Sequence, residues 1–331
     1  MRAISHDRFG DPASVLACIE LPDPPPPGPG EVHVEMVAMS INPADLLTVE
    51  GRYGIVPLLP FIPGAEGVGR IAALGSGVDG LAIGDLVAPL AGSAWVERMT
   101  VRASAVIPLP VGIDPLQAAM VKANPATAEV MLNDLAPLTE GDWIIQTAAN
   151  SAVGQYVCRL ARLRGVRTLN VVRRLDARHA VSEAGGDVIL VHDGATPETL
   201  LREVTQATQG APVKLALDAV GGAVTNALAA CVTDGARVVN YGLLSGKPCE
   251  VDAHHLVFRG VTLSGFWLAT WFRSAGRERI AALYGKLVPL LADGTLSSPI
   301  AATYPFEQIA DAAAHAARGA RNGKVLLVTG S

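Results

Sequence analysis

The chain has 331 residues, which at roughly 150 residues per domain points to two domains. Half of the residues are apolar, 17% are charged and the formal net charge is −5. This composition excludes a disordered chain, and the charge offers no basic footprint to nucleic acid or to an anionic membrane surface. Mean hydropathy is high at +0.34, but Ala, Val and Leu are spread along the whole chain, and no stretch approaches the ~20 uninterrupted apolar residues of a membrane helix. The N-terminal MRAISHDRFG lacks the apolar core of a secretory signal. Cys18, Cys158, Cys231 and Cys249 are too far apart for a C-x₂₋₄-C pair, against both a zinc knuckle and a disulfide framework. Cys158 and Cys231 lie in apolar helical stretches and read as buried, inert thiols. A reducing, cytoplasmic setting is expected.

The first third of the chain reads as β structure. Residues 31–41 combine alternating and continuous apolar positions, and 68–74, 86–90 and 95–101 are further short strands punctuated by Gly and Pro. That texture belongs to a barrel-like all-β unit. The proline-rich run 24–30 reads as a rigid turn between strands. Asp114-Pro115 then pairs a helix N-cap with proline at the first helical position. Beyond it, strands at 143–148, 168–172, 188–191, 213–217, 237–241 and 261–266 alternate with helical stretches, which predicts a parallel, doubly wound sheet. A helix at 275–293, a strand at 300–304, a helix at 306–318 and a strand at 324–328 complete the chain, the last strand rejoining the β-rich part. The fold class is therefore α/β, with an α/β unit at 118–269 inserted into a β-rich domain made of 1–117 and 270–331.

The buried run WIIQTA at 143–148 leads through Ala149, Asn150, Ser151, Ala152, Val153 and Gly154 into an apolar helix. Strand, tight turn, helix N-terminus and second strand are the context of a dinucleotide-binding loop, in which small residues let backbone N–H groups approach a pyrophosphate. Only Gly154 matches the G-x-G-x-x-G pattern, so a generic strand-to-helix turn is the alternative. An NAD site places an acid about 20 residues past the loop to bond the ribose 2′-hydroxyl. Here the second strand ends in Val172-Arg173-Arg174, and Asp176 lies further on. Guanidinium binds a 2′-phosphate where a carboxylate repels it, so the sequence favours NADPH.

Gly64-Ala65-Glu66-Gly67-Val68-Gly69 resembles the G-H-E-x-x-G motif of the medium-chain dehydrogenase/reductase superfamily, a GroES-like β domain with an inserted Rossmann domain. Zinc-dependent members carry His where this chain has Ala65 and Cys at the position that falls on Asn42. The resemblance therefore implies a zinc-independent member, with no metal-site residue. Within the superfamily the chain resembles the mitochondrial-type trans-2-enoyl thioester reductases, through four segments. These are 41–45 (INPAD) with 51–54 (GRYG), 124–128 (NPATA), 146–155 (QTAANSAVGQ) with 170–173 (NVVR), and 265–268 (GFWL) with Trp271. Quinone oxidoreductases share the first and the loop.

This resemblance implies NADPH contacts at Asn124 and Thr127, at Asn150, Ser151, Ala152, Val153 and Gly154, and at Arg173 and Arg174. It also implies contacts at Tyr241, at Phe266, Trp267 and Leu268, and at Lys324. It implies reduction of a C=C bond conjugated to a thioester carbonyl, with Tyr53 at the place of the family's catalytic tyrosine and Asn42 donating a side-chain N–H near the substrate or the nicotinamide ribose. Without a metal, hydrogen-bond donors must stabilise the developing enolate oxygen and a proton must reach the α-carbon. Tyr53 is otherwise a surface or lid residue, Asn42 otherwise a helix N-cap before Pro43, and Trp267 with Trp271 ordinary packing at helical spacing. Lys122 has no evident role. Reduction of quinones or other activated alkenes is the alternative activity, and a non-catalytic NADPH-binding, crystallin-like role the alternative of another class. The partners expected are a small enoyl thioester or quinone and, by analogy, a second copy joined along the edge strand at 261–265.

Overall fold

The computed structural model describes residues 1–193, 196–319 and 323–330. In chain order it runs β1 (Arg2–Ser5), α1 (Pro12–Val15), β2 (Ala17–Glu20), β3 (Glu31–Ser40), α2 (Pro43–Val49), β4 (Gly67–Leu74), β5 (Leu86–Pro89), β6 (Arg98–Arg102), β7 (Val106–Pro108) and α3 (Pro115–Ala118). It continues with α4 (Asn124–Asp134), β8 (Trp143–Thr147), α5 (Ala152–Leu163), β9 (Arg167–Val172), α6 (Arg178–Glu183), β10 (Val188–Val191), α7 (Pro197–Thr208), β11 (Val213–Asp218), α8 (Ala223–Cys231) and β12 (Arg237–Asn240). The remainder is α9 (Ala253–Val257), β13 (Thr262–Gly265), α10 (Leu268–Ala292), β14 (Ile300–Tyr304), α11 (Ile309–Ala317) and β15 (Lys324–Val328). The chain divides into two units, Met1–Ala123 with Tyr284–Ser331, and Asn124–Leu283. These limits fall at 123/124 and 283/284, where the sequence places them at 117/118 and 269/270. The second crossing lies inside α10, a helix interrupted at Gly276, whose φ is +70°.

In the second unit, six parallel strands lie in the order β10-β9-β8-β11-β12-β13. All five residues of β8 are buried, and β9 and β11 are buried along almost their whole length. Such continuous apolar runs are what a sheet covered by helices on both faces requires. Because the strands are parallel, their C-terminal residues Thr147, Val172, Asp218, Asn240 and Gly265 share one edge. The strand order reverses between β8 and β11, the place where open α/β sheets bind ligands.

The first unit is built on β3, ten residues long, which pairs antiparallel with β4, β6 and β15. The register Leu326↔Ser40 and the bond from Ile41 N–H to the Val325 carbonyl (3.0 Å) bring residues nearly three hundred positions apart to the same end of β3. A buried core of Val34, Met36, Met39, Ile41, Trp95 and Phe306 fills the unit.

Three elements differ from the sequence reading. The strand expected at 95–101 begins only at Arg98, because Trp95–Glu97 pairs with β1 instead. Ile4 N–H donates to the Trp95 carbonyl (2.9 Å) and Glu97 N–H to that of Arg2 (3.0 Å). The helix expected at 275–293 starts at Leu268 and takes its break at Gly276. The helix expected at 306–318 opens with a 3₁₀ turn, Phe306–Gln308, directly after Pro305.

Candidate active site

In the second unit the candidate cofactor loop is made of consecutive residues. β8 ends at Thr147, Ala148 turns the chain with φ +48°, and Ser151 caps α5 by accepting the Gly154 N–H at 3.1 Å. A Cβ on Gly154 would lie 2.6 Å from the Ala149 carbonyl oxygen, so the helix packs on the turn at a distance only glycine allows. Ala152 and Val153 sit in the first turn, where helix N–H groups have no partner within the helix. Such a terminus, with its positive dipole end, is suited to phosphate. Beneath it Gln146 donates to the Gly154 carbonyl (3.0 Å) and to Asn170 Oδ1 (2.7 Å), tying α5 to β9.

The other candidate cofactor residues of this unit lie at strand ends or helix starts. Arg173 and Arg174 are both exposed at the tip of β9. Arg174 pairs with Asp176 at 3.0 Å, whereas Arg173 makes no ion pair among the described residues. Tyr241 directly follows β12; its buried phenol faces Ser151, and burial, with the Asp218 carboxylate nearby, holds its pKa far above the usual tyrosine range. Phe266 follows β13 and donates its N–H to the Asn240 carbonyl (2.9 Å). Trp267 lies under the Arg273 guanidinium (5.4 Å to the ring centroid), and Leu268 opens α10. Trp271 is half-buried and donates to Asp134 (2.9 Å), so neither tryptophan belongs to the core. Asn124 is buried at the start of α4, with half-buried Thr127 beside it. Cys158 and Cys231 are buried thiols, and burial pushes both up to about 12.

In the first unit a polar cluster lies at the end of β3. Asn42 occupies the N-cap of α2, but its side chain turns inward. Nδ2 donates to Ser40 Oγ and to Glu66 Oε1, each at 2.8 Å, and Oδ1 accepts from Lys324 Nζ at 2.5 Å. An ammonium can only donate, which fixes the orientation of the amide. The Lys324 Nζ also donates to the Ile41 carbonyl (3.2 Å). Glu66, fully buried, accepts further bonds from Ser40 Oγ (2.6 Å) and from the Ala123 N–H (2.7 Å).

Asp45 bridges two backbone segments, accepting from the N–H groups of Asn42 (2.8 Å) and Ala65 (2.7 Å). Burial raises its pKa to about 6 despite these two bonds. Lys122 donates to the carbonyls of Ala65 (2.5 Å) and Ala91 (3.0 Å), and burial lowers its pKa. Tyr284 donates to the Lys122 carbonyl (3.0 Å), its phenol pushed well up by burial and then by Glu66.

Two predicted residues, Asn42 and Lys324, are thus directly bonded. Tyr53 lies half-buried in the loop that leaves the other end of α2, so one short helix carries both candidate catalytic residues. Four members of the cluster were not singled out as site residues from sequence: Ser40, Asp45, Glu66 and Tyr284. Lys122, flanked by Met120-Val121 and Ala123, is a charge in an apolar run, and that is the one signal that could have marked it as paired and buried. Among the described residues no group of three His, Cys, Asp or Glu side chains is placed to hold a metal, and no helix is long and apolar enough to cross a membrane.

Residues 28–111 match the model of the alcohol dehydrogenase GroES-like domain, and 152–284 that of the zinc-binding dehydrogenases. The mitochondrial enoyl-acyl-carrier-protein reductase of Rattus norvegicus is 34% identical over 314 residues, covering 93% of this chain and 83% of the rat protein. A Bacillus thuringiensis structure assigned as an NADPH:quinone reductase is 28% identical and covers 99% of both chains, with a TM-score of 0.91. A mycobacterial protein solved in complex with NADPH is 25% identical, covering 99% of this chain and 100% of its own, with a TM-score of 0.88. With its GroES-like part, its six-stranded parallel sheet and its likeness along most of the rat enzyme, the chain belongs to the family of the mitochondrial enoyl-acyl-carrier-protein reductases, oxidoreductases of the medium-chain dehydrogenase/reductase superfamily.

Proposed function

We propose that this protein reduces the C=C bond of 2-enoyl thioesters, carried on coenzyme A or acyl carrier protein, with NADPH and without a catalytic zinc. The observation that carries this reading is the make-up of the cluster around Asn42. A zinc site needs thiolate, imidazole or carboxylate donors at the metal. Here the Ala65 side chain offers no lone pair, and the Asn42 oxygen faces the Lys324 ammonium at 2.5 Å, a charge that opposes a divalent cation. Glu66 and Asp45 are engaged with Ser40, Asn42 and backbone N–H groups. What remains is a site that acts through hydrogen-bond donors.

The second unit fits a dinucleotide. The Gly154 approach and the capped start of α5 offer backbone donors to a pyrophosphate. Arg173, exposed and without an ion pair among the described residues, offers a bidentate partner to a 2′-phosphate. Held by these groups, the nicotinamide cofactor would supply the hydride that the β-carbon of the enoyl group takes. Tyr53 would donate its one phenolic hydrogen bond to the thioester oxygen where charge develops, and solvent water would deliver the proton that the α-carbon takes. Asn42, held by three side chains, fixes the start of the helix from which the Tyr53 loop departs.

A second reading, NADPH-dependent quinone reduction, draws on the fold match to the Bacillus protein. A homodimer belongs to the same proposal. Its support is that β13 is an edge strand and that Leu256, Val257 and Phe258 just before it are exposed apolar residues. A cytoplasmic setting is likewise proposed.

The test follows NADPH oxidation with crotonyl-CoA, with a benzoquinone and with neither, in the wild type and in Tyr53→Phe. Turnover of crotonyl-CoA that falls about a hundredfold in Tyr53→Phe is the expected result. Turnover of the quinone alone favours the second reading, and tight NADPH binding with no turnover points to a non-catalytic role.

A further inference from the structure

The loop that carries Tyr53 leaves α2 and returns at Phe61, and both of its ends are held by one short segment near the N-terminus, residues 5–10. At the departing end α2 closes with Gly51 in the left-handed conformation, φ +72°. The Gly51 N–H donates to the Thr48 carbonyl (3.0 Å) and the Arg52 N–H to that of Leu47 (2.8 Å), the paired bonds of a Schellman stop. Phe9 lies directly on this stop, since a Cβ at Gly51 would come within 2.9 Å of Phe9 Cγ. Gly10 N–H donates to the carbonyl of Val49, two residues before Gly51 (3.2 Å).

At the returning end, His6 and Phe61 exchange both backbone bonds, 3.1 and 3.0 Å, and Ser5 Oγ donates to the Phe61 carbonyl (3.1 Å). The His6 ring stands edge-on to Phe61 and to Phe9, with centroids 6.0 and 5.9 Å apart. Its Nδ1–H donates to the Arg8 carbonyl (3.0 Å), which folds the segment so that it reaches both ends. Between the two anchors the loop exposes Ile55, Val56 and Leu58 and makes no regular structure of its own.

We propose that residues 5–10 are a strap that positions Tyr53, with Phe9 and His6 as positioning residues for the reaction. Between its two ends the loop makes no regular structure, so the places where those ends are held set where the Tyr53 backbone departs and returns. Holding both ends on one short segment removes part of the freedom that the loop would otherwise lose on substrate binding. None of the strap residues is required to touch the substrate; they act through the loop. The catalytic half of this inference rests on the proposed role of Tyr53, whereas the holding of the loop does not.

The experiment compares wild type, Phe9→Ala, Phe9→Tyr, Tyr53→Phe and the double variant Phe9→Ala/Tyr53→Phe. Misplacing a catalytic group by about an ångström costs up to a hundredfold, so Phe9→Ala is expected to lower kcat with crotonyl-CoA by roughly ten- to a hundredfold. Phe9→Tyr, which keeps the ring, restores it. The Kd for NADPH, read from protein fluorescence, stays unchanged in both. In Tyr53→Phe the further change Phe9→Ala lowers kcat no more. In the cofactor-free protein, chymotrypsin cuts the 53–58 loop faster in Phe9→Ala than in wild type or Phe9→Tyr. Wild-type cleavage in Phe9→Ala overturns the strap, and equal losses of kcat with and without Tyr53 overturn its positioning role. If Tyr53→Phe is itself fully active, the proposed role of Tyr53 falls, and the cleavage comparison alone still decides whether the strap holds the loop.

Discussion

The candidate phosphate loop of the second unit and the polar cluster of the first are built on opposite plans. The loop draws on residues 147–154, one strand end and one helix start, and what it presents is largely backbone N–H. The cluster draws its members from positions 40, 42, 45, 66, 122, 284 and 324, and its groups are side chains that satisfy one another. A locally encoded turn asks little of particular side chains: Ala148 takes the left-handed conformation, φ +48°, without being glycine. A site assembled over long range depends on every member, because a buried polar group without its partner costs more than the bond itself returned.

This contrast sets the largest expected effect. Lys324 is 3% exposed, and Lys324→Met removes the donor of two buried acceptors, Asn42 Oδ1 and the Ile41 carbonyl, together with a positive charge near Asp45. The expected loss is about 2–6 kcal/mol of unfolding free energy, at about 1–3 kcal/mol for each buried acceptor left without its donor. The matching cut in the loop, Ser151→Ala, removes only an N-cap acceptor and costs about 1 kcal/mol. Denaturant midpoints of the two variants test the contrast directly. Equal losses would mean that the cluster is no more interdependent than a helix cap.

The same cluster gives the first unit a pH dependence that the loop lacks. Asp45 has an ordinary pKa of 3.8, and burial raises it to about 6 in the folded chain. Between those values the folded state binds more protons than the unfolded state. The contribution of Asp45 to stability therefore falls as the pH rises from about 4 to about 6 and stays low above that, a change of about 3 kcal/mol for a shift of this size. Thermal midpoints across this range, compared between wild type and Asp45→Asn, isolate the effect, since other carboxylates titrate alike in both. The wild type should lose stability relative to the variant as the pH rises; a difference that is flat or of opposite sign would show that Asp45 stays ionised throughout.

What could be read from the sequence follows the same division. The strands 188–191, 300–304 and 324–328 were legible end to end, because runs of β-branched and apolar residues between polar turns have one period. Asp114 and Pro115 announced their helix by local chemistry, and Asp114 Oδ1 does accept the Leu116 N–H (2.9 Å). The turn 148–154 was legible for the same reason. β1 and β2 were not, because four-residue strands take their definition from the partner they meet. Glu66 and Tyr284 were passed over since nothing within a few positions of either reveals its partner, and Ser40 and Asp45 although Asn42 lies two and three positions from them. The Asn42 position shows the limit well: Asn-Pro correctly placed a helix start, while the inward turn of its side chain depends on Lys324, 282 residues away.

The smallest effect concerns the two arginines at the tip of β9, which the sequence alone could not tell apart. Arg174 is already bonded to Asp176 at 3.0 Å, so a 2′-phosphate must compete with a carboxylate for it. Arg173 makes no such pair among the described residues, and its guanidinium is exposed at the strand end that faces the loop's edge of the sheet. A charge-assisted bond to phosphate is worth roughly 1.5–3 kcal/mol, so Arg173→Ala is expected to weaken NADPH binding about ten- to a hundredfold while leaving NADH binding unchanged. Arg174→Ala is expected to change the NADPH affinity by less than about threefold, because an exposed pair of this kind contributes little and its loss also frees Asp176. Titrating both cofactors into both variants reads the assignment. Equal losses of NADPH and NADH in Arg173→Ala would show that this arginine serves the shared pyrophosphate, and a larger loss in Arg174→Ala would mean that the pair with Asp176 opens when the nucleotide arrives.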